Sequence, residues 1–191
     1  MAKFRYFEAL EELSASVVRA VRICCARIGN AEKAKDELCS IRLAADKTVC
    51  ALEDALFSDY LPPLERDSIA ACAHCLSRVI DRASDLCSFT LRLPSFARES
   101  DEPRICIRLA ECLHSDISLL RTIRKPSEMP SHREFRALLS KGRAAHSETM
   151  ARVSTGAFPR NAASAAIMCG KLRAELSRSF DELVEIMLNN I

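Results

Sequence analysis

Apolar residues recur at three- and four-residue steps along most of this chain, and prolines cut the periodic stretches apart. That pattern is one greasy stripe per helix. Long rods separated by short breaks must fold back on one another to bury their stripes, so the expected fold is all-α, an antiparallel bundle of about six long helices. The first stripe is Phe7, Leu10, Val17, Val21, Cys24 and Ile28, ended by Gly29-Asn30, a pair that tolerates left-handed backbone. The second is Leu38, Ile41, Ala45, Val49, Leu52 and Leu56, stopped before Pro62-Pro63. The third starts near Leu64 with Glu65 and Asp67 in its first turn and carries Ile69, Cys72, Leu76, Val79, Ala83 and Leu86. Pro94 closes it, and Ser95–Asp101 reads as a short polar connection.

The fourth helix opens near Pro103 and runs through Ile105, Leu109, Cys112, Leu120 and Ile123. Pro126–Pro130 is a linker, and Ser131-His132-Arg133-Glu134 then has the form of a capping box. Helix five follows with Phe135, Leu138, Leu139, Ala145, Met150 and Val153, until Gly156–Pro159 breaks the chain again. The last helix bears Ala165, Met168, Leu172, Leu176, Phe180, Leu183 and Met187. Three helices, a break and three more suggest a single domain of two halves, about 1–93 and 100–191.

Composition narrows the function. The formal net charge is +2, so no broad field attracts nucleic acid, and none is expected as a partner. Ten cysteines lie within the helical stretches rather than in a Gly-rich loop scaffold, and the charged N-terminus MAKFRYFEALEELSAS has no apolar leader. They are expected to be reduced, small core residues in a cytoplasmic protein. No apolar run approaches the roughly 20 residues of a membrane span.

Cys72-Ala73-His74-Cys75 has the form of a ligand or redox motif, but no second Cys-x-x-Cys accompanies it and Cys72 lies on the apolar stripe, so core packing is expected. His146 with Ser147 and Glu148 has no nucleophile elbow or Gly-rich loop beside it, so no catalytic residue is assigned and the chain is not read as an enzyme. His114 and His132 read as surface residues.

The segment Leu56–Ile69 resembles the corner between the second and third helices of the PhoU-like phosphate transport regulators. Tyr60, Pro63, Glu65, Arg66, Asp67 and Ile69 match its pattern of an aromatic, a proline and an acidic-Arg-acidic run, and Ser68 replaces the last acid. The resemblance implies two fused three-helix bundles and a regulatory or adaptor protein of inorganic phosphate transport. Its partner would be a phosphate transporter or a signalling protein at the inner face of the membrane, with the chain held there peripherally. Members also carry Glu/Asp-x-x-x-Asp motifs that bind metal clusters. Carried over, Asp46 and Asp81 keep the second acids of two motifs while Arg42 and Ser77 stand at the first, and Gly142 and His146 fall where a further pair would stand.

No cofactor is expected; Asp46, His74, Asp81 and Asp85 are the candidate metal set for the alternative, a residual divalent or iron ion. Arg42 and Asp46, four apart, also suit a helix-surface ion pair. Arg66 is expected to brace the corner through a neighbouring carboxylate. A metal-binding bundle and a plain helical scaffold that self-associates as a homo-oligomer through an exposed apolar stripe are the other functional readings.

Overall fold

A computed structural model describes residues 4–25, 31–58, 65–90, 93–122 and 132–190. Those residues form six long helices and one short one: α1 (Tyr6–Cys25), α2 (Ala31–Ser58), α3 (Arg66–Thr90), α4 (Pro94–Glu99), α5 (Glu102–Leu119), α6 (His132–Ser154) and α7 (Asn161–Asn190). No strand occurs among them. Tyr60, Pro62, Pro63 and Leu64 of the corner, the Gly29-Asn30 stop, the 126–130 linker and Ser131 lie outside the described residues.

Side-chain pairs give the helix directions. Arg42 meets Asp81 and Glu53 meets His74, so α2 and α3 run antiparallel. Ser14 meets His114 and Arg22 meets Glu111, setting α1 against α5 in opposite senses. Arg78–Glu175 and Glu65–Asn189 do the same for α3 and α7. The two halves thus join along α1–α5 and α3–α7 and share one continuous core. The outer helices are α2, packed chiefly on α1 and α3, and α6, packed chiefly on α5 and α7.

Every residue named on the α2 and α3 stripes is buried. On α7, Ala165, Leu172, Leu176, Phe180, Leu183 and Met187 are buried and Met168 is half-buried. Phe180 anchors the second half: its ring stacks on Phe135 at 4.0 Å between centroids, and His132 meets it edge-on at 5.2 Å.

Four expectations are corrected. Residues 95–101 are not a plain polar connection, because α4 forms there and drives Phe96 fully into the core. The buried face of α5 is Cys106, Leu109, Leu113 and Ile117, turned from the Ile105–Leu109–Cys112 line, with Ile105 and Cys112 only half-buried. His114 is half-buried and lies 2.7 Å from the hydroxyl of buried Ser14. His132 is half-buried against Phe180, with Nδ1 enclosed and unpartnered.

Of the ten cysteines, all free, seven are buried and Cys112 is half-buried, while Cys39 and Cys50 on α2 are exposed. The α6 stop has a visible cause. Gly156 adopts φ 77°, a left-handed conformation that favours glycine, and Phe158 donates its amide to the Arg152 carbonyl at 3.0 Å. The Phe158 ring is buried beneath the Arg152 guanidinium, 3.8 Å from its centroid.

Candidate functional site

Three of the four first-half candidates, His74, Asp81 and Asp85, are taken up by contacts with other residues. Arg42 Nε lies 3.1 Å from Asp81 Oδ1, so the arginine bridges from α2 to α3 rather than pairing with Asp46 one turn along its own helix. His74 Nε2 lies 2.9 Å from Glu53 Oε1. Arg82 Nη1 lies 3.3 Å from Asp85 Oδ2, and Asp46 is exposed on the outside of α2. A cation binding Asp81 would have to displace a guanidinium of permanent charge. Among the described residues no group of three His, Cys, Asp or Glu side chains is arranged to hold a metal ion. In the Cys72–Cys75 motif both cysteines are buried, the Cys72 thiol pushed up to about 12 by burial, while His74 points outward to Glu53.

The second half builds a polar centre that sequence reasoning missed. Glu102, in the first turn of α5, is wholly buried. Its Oε2 accepts from His146 Nδ1 of α6 at 3.2 Å and from Arg173 Nη1 of α7 at 3.4 Å. The Glu102 backbone amide donates to Ser100 Oγ at 3.3 Å, and that hydroxyl lies 3.1 Å from Thr149 Oγ1. Three helices thus converge on one residue, α6 and α7 through its carboxylate and the α4–α5 junction through its backbone amide.

Burial pushes the Glu102 carboxyl up, and His146 and Arg173 oppose that rise. Oε1 is buried without a partner. The signal for Glu102 was present in the spacing: Glu102, Cys106, Leu109, Leu113 and Ile117 follow steps of four, three, four and four, placing the acid on the core face.

Gly142 is the residue that admits the arginine. A Cβ there would stand 2.7 Å from Arg173 Cδ, closer than carbon atoms tolerate. Gly142→Ala is therefore expected to destabilise by about 1–2 kcal/mol, overriding the roughly 1 kcal/mol that alanine gains over glycine within a helix. With Arg173 already cut to Ala the same change should become neutral or stabilising. Urea unfolding of the four proteins in this double-mutant cycle checks it, and additive losses would contradict the close approach.

A second buried acid has no strong cation. Asp116 of α5 is almost wholly buried, and the Cys112 thiol lies 4.0 Å from its Oδ2. Burial first, then the nearby Glu134 charge, raises its carboxyl to about 6, and burial raises the Cys112 thiol to about 11. The native state then holds this proton more tightly than the unfolded chain. Stability from the protonated form is present below the unfolded value near 4 and is lost as pH rises towards 6. Asp116→Asn should flatten that fall and gain about 1–3 kcal/mol at neutral pH. Urea midpoints across the acid range test this; an unchanged slope would count against it.

No helix among the described residues is long and apolar enough to cross a membrane. No protein-family model matches the chain, and no curated protein is detectably similar to it in sequence. Solved structures do match. A PhoU-like protein from Shewanella oneidensis MR-1 superposes with a TM-score of 0.74 over 95% of this chain and 99% of its own, at 14% identity. A second structure from that organism, described as a PhoU-like phosphate regulatory protein, gives a TM-score of 0.70 over 96% and 99%, at 13% identity. Over nearly all of its length, this chain has the PhoU-like fold.

Proposed function

We propose that this chain is a non-catalytic regulatory or adaptor protein of inorganic phosphate transport that works through protein contacts. The observation that carries the reading is the whole-length likeness to a protein described as a PhoU-like phosphate regulatory protein. The side chains agree with a role in contact rather than in chemistry. In the buried polar centre His146 and Arg173 are both turned onto Glu102 Oε2, so its histidine is committed to that carboxylate.

The partner is a phosphate transporter or a signalling protein at the inner face of the membrane, where this chain sits peripherally. The surface suited to it is the α5–α6 cleft of about 460 Å³, where Arg104, Arg108 and Lys141 meet Asp101 and Glu148. Mixed charges of that kind set partner choice and orientation more than raw affinity. The reading includes no resident metal, in keeping with Arg42 on Asp81 and Arg173 against Gly142.

Deleting the gene and measuring phosphate uptake, with affinity capture of a phosphate permease by the tagged chain, tests the reading. Altered uptake and recovery of the permease are expected. Unchanged uptake together with no capture would overturn it.

A further inference from the structure

One of the two outer helices, α2, carries a second apolar line on its outer side. On α2, Cys39, Leu43, Cys50 and Phe57 are all exposed, Leu43 at 58% and Phe57 at 87%. At 100° per residue these four fall within a narrow strip, on the side away from the buried Ile41 and Leu52. Leu43, Cys50 and Phe57 are spaced by seven, the repeat of a helix seam that meets another helix. The strip runs about 27 Å. The other outer helix, α6, exposes no large apolar side chain, so an apolar outer face is not a general property of this position.

We propose that this face pairs with the same face of a second copy, α2 against α2, antiparallel about a two-fold axis at Cys50. The sequence is self-complementary in that alignment. Leu43 of one copy lies against Phe57 of the other at both ends, and the small Cys50 meets its own equivalent at the centre. Such a contact is isologous and closes on itself.

The charges on one rim fit as well. Lys47 and Asp54, both exposed, flank the strip on one side, and the two-fold sets Lys47 of each copy beside Asp54 of the other. The opposite rim is acidic, with Asp46 and Glu53 from each copy, and there Glu53 already bonds to His74. One helix pair is a small interface, so the association is weak, with a dissociation constant of about 10–100 µM. The pairing does not rest on the phosphate reading, since it is read on purified protein alone.

The test is sedimentation equilibrium of the full chain up to about 0.3 mM, with copper–phenanthroline oxidation of the native protein followed by non-reducing electrophoresis. A reversible dimer is expected, cross-linked through Cys50: the covalent dimer is lost in Cys50→Ser and kept in Cys39→Ser. Leu43→Glu with Phe57→Glu should weaken association at least about tenfold while leaving the thermal midpoint of the chain unchanged, because both side chains are exposed. Lys47→Asp alone and Asp54→Lys alone should each weaken the dimer, and the two together should restore it. A monomer throughout, cross-linking through Cys39, a dimer indifferent to the glutamates, or no restoration by the double reversal would each overturn the proposal.

Discussion

Replacing Arg173 by Met should cost about 3–5 kcal/mol at neutral pH, since it leaves the wholly buried Glu102 without its permanent cation. For a chain of this size that is roughly 6–20 °C in thermal midpoint. The loss has a signature that a packing defect lacks. Glu102 ionises with difficulty when buried, so lowering the pH protonates it and removes the charge that Arg173 had balanced. The penalty should therefore shrink on acidification, and Glu102→Gln in the Arg173→Met background should recover part of it. Thermal melts across the acid range check this. A penalty that ignores pH would mean that the arginine contributes by packing alone.

Phe180→Ala should cost a similar amount, about 3–5 kcal/mol, by the other route: a cavity. The ring is 1% exposed and is gripped by Phe135 on its face and His132 on its edge. Phe135→Ala should be nearly as severe, and the two losses should not add, because the first already removes the stacked pair. Urea denaturation reads both. A loss below about 1 kcal/mol would mean that the α6–α7 seam collapses to fill the void.

The parts of the fold that were legible in the sequence are those where one helix face meets one core. On α2 and α3 the three- and four-residue steps pick out buried residues without error. On α5 they do not, because two apolar lines run along this helix and only one of them faces the core. Apolar residues there fall on more than one side, and the line through Ile105 and Cys112 is as regular as the buried one. The short helix α4 was hidden because a single phenylalanine, Phe96, anchors an otherwise polar string.

The polar centre was legible only in part. The place of Gly142 and His146 could be read, but their partners could not. Glu102 and Arg173 lie 71 residues apart, and only the packing of three helices brings them together. Arg42 makes the same point on a smaller scale. A carboxylate stands at i+4 on its own helix, yet α3 presents Asp81 within 3.1 Å and takes the guanidinium. The histidines misread as surface residues, His114 and His132, touch Ser14 and Phe180, contacts that no local pattern encodes.

These pairings carry the claim that the bundle holds its helices by internal ion pairs where a resident ion would otherwise neutralise acids. Elemental analysis of the purified full chain, after incubation with iron, zinc, manganese and nickel and removal of excess, tests that claim most directly. Well below one ion per chain is expected, with no change in thermal midpoint on adding chelator. Stoichiometric metal that is lost on substituting Asp81, or a midpoint that falls with chelator, would contradict it.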